Sequence, residues 1–144
     1  MSQLGIKAAL FMLFGDETTP IVMHSAWGKT ISRLELKDDK LHFEFSDQTK
    51  ICVFDAGQSC CEYRYMTTDD DLRDYIGSSL VDMEISDGPT TECDGGTYEI
   101  QFLRVFTSKG IFVCETHNEH NGYYGGFCVV ARVATSGTRD EASV

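Results

Sequence analysis

TISRLELKDDKLHFEFSDQTKICVF, residues 30–54, reads as three antiparallel strands. Ile31, Leu34 and Leu36 lead to a turn at Lys37-Asp38-Asp39-Lys40. Leu41, Phe43 and Phe45 then alternate with His42 and Glu44, the period-2 signature of a strand with one face in a core. A second turn at Ser46-Asp47-Gln48 delivers Ile51, Val53 and Phe54 as the third strand.

Beyond this hairpin the alternation stops in DAGQSCCEYRYMTTDDDLRDYIGSSL, residues 55–80. Thr68 before Asp69-Asp70-Asp71 has the character of a helix cap with an acidic first turn. Leu72, Tyr75 and Ile76 fall at i, i+3 and i+4, and Gly77 follows where a left-handed residue ends a helix. The pattern predicts a short helix over Asp69 to Ile76. Val81, Met83 and Ile85 predict a short fourth strand, and DGPTTECDGGT, residues 87–97, predicts a solvent loop. A second hairpin follows, with Tyr98, Ile100 and Phe102 before a Ser108-Lys109-Gly110 turn and Ile111, Val113 and Glu115 after it. The stretch HNEHNGYYGG, residues 117–126, connects this hairpin to a last strand, Phe127 to Val133.

The expected fold is mainly β (α+β): an antiparallel sheet of about seven strands, curled or packed on itself, with one or two short helices. Residues 28–133 form a single ligand-binding domain in this reading, and residues 134–144 a disordered tail. Residues 1–27 are an N-terminal arm or extra element, read as a strand, a helix, or an arm whose Ala8 to Phe14 face packs on the sheet or on another subunit. That apolar run is too short for a membrane span, has the single Lys7 as its basic flank, and lacks the small-residue cleavage site of a secretory signal. No membrane association and no secretion are expected.

Charge narrows the function classes. The formal net charge of −11 repels a duplex, so no duplex nucleic-acid partner is expected. A small anion remains compatible if a few arginines converge, because screening over about 8 Å hides distant carboxylates. The six cysteines are read mostly as reduced core residues, since a chain of this length and apolar content folds without staples.

Three kinds of site compete. A metal centre would draw on His117, Glu119, His120, Cys60, Cys61 and Cys114, but no Cys-x-x-Cys pair is present and adjacent cysteines on extended backbone face opposite sides. A cysteine nucleophile would pair Cys60 or Cys61 with His117, an adjacency that no spacing establishes. Asp69 to Asp71 suit a calcium ion or, more simply, a helix cap. No metal, no cofactor and no catalytic residue is therefore assigned. The third kind is a recognition pocket. Tyr123 and Tyr124 offer ring faces, Gly122, Gly125 and Gly126 permit close backbone approach, and Asn118 and Asn121 can donate and accept. Arg64 and Arg132 are planar cations suited to a phosphate. Against this stands a plainer alternative, in which the glycines serve turn geometry and the tyrosines cover a sheet edge.

GQSCCEYRYM, DDDLRDYIG, EIQFLRVFTSKG and HNEHNGYYGGF together resemble a small phage and prophage family catalogued as a domain of unknown function. The resemblance spans residues 28–132 and extends to the first family of Thoeris anti-defence proteins. Those proteins act as sponges: they sequester, without cleaving, the cyclic ADP-ribose isomer that a bacterial TIR-domain enzyme makes as an alarm. Some members are also implicated in holding cyclic oligonucleotides.

What the resemblance implies is a non-enzymatic binder of a cyclic nucleotide signal, working in the cytoplasm of the infected bacterial host. It further implies a homo-oligomer built from dimers, with pockets near subunit contacts. The positions carried over are Arg64, Phe102, Asn121 and Arg132, with Tyr123 and Tyr124 beside them. Arginines would meet the pyrophosphate, the Phe102 ring the adenine, and Asn121 a base or ribose edge. Two alternatives stay open: an enzyme that degrades such a signal through His117 or His120, and a protein-binding inhibitor of a host defence enzyme.

Overall fold

Leu41, Phe43 and Phe45 point to one side of their strand, and all three are buried, with the two phenyl rings stacked at 5.9 Å. A computed structural model describes residues 18–57, 62–93, 95–122 and 126–134 of the protein. Helix α1 (Thr18–Ala26) precedes strands β1 (Ile31–Lys37), β2 (Lys40–Phe45), β3 (Lys50–Asp55) and β4 (Glu62–Thr68). A single 3-10 turn (Leu72–Tyr75) leads to β5 (Leu80–Cys93), β6 (Gly96–Thr107), β7 (Gly110–His120) and β8 (Val129–Ala134).

These strands form two antiparallel four-stranded sheets, with orders β1-β2-β3-β8 and β4-β7-β6-β5. One apolar cluster joins them: Leu34, Phe43 and Val53 from the first sheet, Met83, Leu103 and Phe112 from the second, and Val22, Met23 and Ala26 from α1. Each fully buried side chain of this size contributes roughly 1.5–3 kcal/mol. The mainly β, antiparallel expectation holds, with eight strands among the described residues divided between two sheets.

The first hairpin is as the pattern predicts. Asp38 and Asp39 both have positive φ, 56° and 62°, the conformation of a tight two-residue turn that aspartate tolerates. The same Asp39 reaches across and accepts a hydrogen bond from the Met66 amide on the edge strand β4. At the far edge of the first sheet, Thr19 Oγ1 of α1 accepts from the Ala131 amide. The helix thus occupies a backbone donor that an open edge strand would leave free.

Several elements differ from expectation. The segment 69–76 holds one 3-10 turn instead of an α-helix, capped by Asp71, whose carboxylate accepts from the Arg73 amide. Asp71 takes the Arg73 amide and Asp70 reaches across to accept from the Val113 amide of β7, contacts that compete with a regular helical turn; Gly77 does take the left-handed conformation, at φ 94°. The expected loop at 87–97 is strand, since β5 runs to Cys93 and β6 starts at Gly96. Its polar residues lie on a two-stranded extension, and the register shift between Asp87 and Thr90 accommodates Gly88 and Pro89. Glu62–Thr68, within the stretch read as lacking alternation, is the edge strand β4. His117 to His120 belong to β7, not to a connection. Within the N-terminal arm Thr18–Ala26 is helical, whereas Ala8 to Phe14 and the tail from residue 135 lie outside the described residues.

Candidate functional site

Strand register decides which side chains meet on the second sheet. Tyr63 pairs with Glu119, which pairs with Tyr98; Tyr65 pairs with His117, which pairs with Ile100. Successive side chains alternate across a strand, so these two rows share the face turned away from the core. Their rings form a ladder. Tyr63 and Tyr65 are 4.7 Å apart, Tyr65 stacks on His117 at 4.4 Å and 7°, and His117 lies 5.8 Å from Tyr98 at 11°.

Polar contacts lock the ladder. His117 Nδ1 lies 2.7 Å from the Tyr98 hydroxyl and Nε2 lies 2.8 Å from Thr67 Oγ1. The Tyr65 hydroxyl donates to Glu119 at 2.7 Å. Burial lowers the pKa of His117 below its ordinary value, against the opposing pull of Glu115 and Glu119. Burial and the Glu119 contact both raise that of Tyr65. At the end of the ladder Tyr63 is 59% exposed, so one ring of the stack remains open to a ligand.

An open groove of about 920 Å³ runs along this end of the sheet. Tyr63, Tyr65 and Tyr98 line it together with Glu119, and its polar end carries Glu62, His120 and Asn121. Gly96 is required there: a Cβ would come within 2.8 Å of the His120 carbonyl oxygen, a backbone atom that cannot swing aside.

Behind the groove, on the inward face, lies a buried ionic cluster. Arg64 Nη1 donates to both oxygens of Asp55 at 2.9 Å, while Nε and Nη2 engage Glu62 at 3.2 and 2.8 Å. The Arg64 side chain is 7% exposed. Desolvation works against its charge, but the hydrogen bonds to Glu62 and Asp55 outweigh it and hold the pKa above its ordinary value. Asp55 also accepts from the Gly57 and Cys128 amides. Next to this cluster His120 Nδ1 accepts from the Gly122 amide, which leaves the proton on Nε2. That Nε2 stands 3.3 Å from Glu99, yet no hydrogen bond joins them, and Asn118 Oδ1 is likewise buried without a partner among the described residues.

The model of the domain-of-unknown-function family DUF7448 matches residues 24–130, most of the chain. The chain belongs to this family. Neither among curated proteins nor among solved structures does any match the chain. In the DUF7448 domain the match runs from within α1 to the start of β8, so it takes in both sheets and the groove.

The sequence-predicted residues of this DUF7448 domain lie apart. Arg64 faces inward on β4 and is held by two carboxylates. Phe102 is on the outer face of β6, opposite Ser86 and Glu115, and lies against Gly88. Arg132 lies on β8 of the other sheet, in the outward row Glu35–His42–Cys52–Arg132, and donates to the Ala131 carbonyl. Asn121, one residue past β7, lines the groove. Tyr123, Tyr124, Cys60 and Cys61 lie outside the described residues. His117 and His120 take opposite faces of β7, because residues three apart on a strand diverge. Among the described residues no set of three His, Cys, Asp or Glu side chains converges to hold a metal.

Tyr63, Tyr65 and Tyr98 were missed. The Tyr-x-Tyr spacing in EYRYM was a legible sign of two rings on one strand face, but Tyr98 joins them only through β7.

Proposed function

We propose that this DUF7448 protein binds, without transforming it, the ring end of a nucleotide-type signal in the tyrosine groove. The ladder from exposed Tyr63 through Tyr65 and His117 to Tyr98 carries the reading. An aromatic platform of this kind gains about 1–3 kcal/mol per stacked base, and Asn121 lines the polar end of the groove. Both ring nitrogens of His117 are taken by hydroxyls and Nδ1 of His120 by a backbone amide. These contacts favour a rigid recognition surface over a proton-transfer site, and a decoy needs affinity and slow release, not turnover.

The finer identity rests on the resemblance: a phage anti-defence sponge for a cyclic ADP-ribose isomer made by a TIR-domain enzyme, extending to cyclic oligonucleotides, in the infected host's cytoplasm. Arg64, Phe102 and Arg132 stand on three different faces of one copy. A ligand meeting more than one of them would sit between copies, in keeping with a homo-oligomer built from dimers.

Calorimetric titration with cyclic ADP-ribose isomers and cyclic oligonucleotides tests the reading. Tight binding of one of them, weakened by Tyr63→Ala and with the ligand recovered intact after heat denaturation, is the expected result. Recovery of a hydrolysed product would establish an enzyme instead, and silence across the panel would remove the reading.

A further inference from the structure

Tyrosines and carboxylates dominate the groove. Among the described residues its walls hold tyrosines, Glu62, Glu119, His120, Asn121 and small residues, and no Lys or Arg. Arg64 stands nearby, but it faces Asp55 and Glu62, and those three side chains sum to one negative charge. Glu119 and Glu115 add two more carboxylates on the ladder's own face. An anionic group entering here would meet repulsion that no lining cation among the described residues offsets.

A positive ring would meet the reverse. The face of a tyrosine ring carries negative charge density and attracts a cation within about 6 Å. The open face of Tyr63 sits one ring away from the Glu119 carboxylate, which the Tyr65 hydroxyl holds in place. Aromatic face and fixed carboxylate together form the recognition chemistry of N-alkylated and quaternary nitrogen.

We propose that the groove selects a positively charged, N-substituted aromatic heterocycle and excludes phosphate. This rests on the reading of the groove as a ring-binding site and specifies its ligand: the cationic ring enters, and any phosphate of the same ligand stays outside.

The test is titration with adenosine, 1-methyladenosine, which is cationic at neutral pH, and adenosine 5′-monophosphate, on the wild-type chain, Glu119→Gln and Tyr63→Ala. The expected order is 1-methyladenosine about tenfold tighter than adenosine, with the monophosphate weakest. Glu119→Gln should abolish the cation preference, and Tyr63→Ala should weaken both nucleosides. A monophosphate that binds more tightly than adenosine, or a cation preference unchanged in Glu119→Gln, would overturn the inference. If a cyclic nucleotide binds through Tyr63 under those outcomes, the ring-binding reading stands and only the charge selection falls. If no probe and no cyclic nucleotide binds, both fall.

Discussion

The Tyr98 hydroxyl lies 2.7 Å from Nδ1 of His117, and that contact ties β6 to β7 on the sheet face turned away from the core. A neutral imidazole has one donor and one acceptor nitrogen, and the two hydroxyls that flank it can supply either complement. The arrangement suits the uncharged ring.

Stability should therefore depend on pH through His117. Burial holds its folded pKa below the ordinary 6.5, so the unfolded chain takes up the proton first as pH falls. The stability linked to this group is complete above about pH 6.5, is lost as pH drops toward the folded value, and changes no further below it. Urea unfolding of wild type and His117→Gln between about pH 5 and 8 isolates the effect. The wild-type curve should fall more steeply below neutrality, by at most ~1.4 kcal/mol per pH unit. Parallel curves would show that His117 does not titrate as described.

Arg64 is expected to be structural. Replacing it by Met leaves Asp55 and Glu62 buried without their counter-ion, a loss of about 3–5 kcal/mol. Lysine should restore part of that, since a single ammonium cannot reproduce the fork to two carboxylates. Denaturant midpoints at pH 7 decide the matter; an Arg64→Met protein of wild-type stability would contradict the network.

Gly88 has ordinary φ, yet it admits no side chain. A Cβ there would lie 2.7 Å from the Phe102 ring and 2.9 Å from the Ile100 carbonyl oxygen. Gly88→Ala should cost about 1–3 kcal/mol through overpacking. The loss should shrink when Phe102 is trimmed to Leu, leaving only the backbone contact. Thermal unfolding of the single and double variants measures this; additive losses would separate the two sites.

Cys52 and Cys114 should resist alkylation in the folded chain. Burial pushes their thiols up to about 11 and about 12, respectively, and both side chains are enclosed. At about pH 8 their thiolate fractions are negligible, so mass mapping should find both unmodified until denaturant is added. Rapid native labelling of Cys114 would mean that the core between the sheets opens.

Side-chain alternation in 30–54 and 98–115 was enough to read both hairpins, because a half-buried strand writes its period directly into hydrophobicity. The same logic hid β4. Arg64 and Glu62 face inward there, and two charges that neutralise each other inside do not look like a core face. It also hid the polar extension of β5 and β6, which is held by backbone pairing and leaves no apolar trace.

Composition and local pattern established the strand class, the turns and the acidic character of the chain, since each depends on neighbours within a few residues. The tyrosine–histidine ladder, the engagement of Arg64 and the separation of Arg132 from the groove came from strand order and register. Residues as distant as Tyr65 and His117 meet through long-range pairing, whose energetics are spread over two whole sheets.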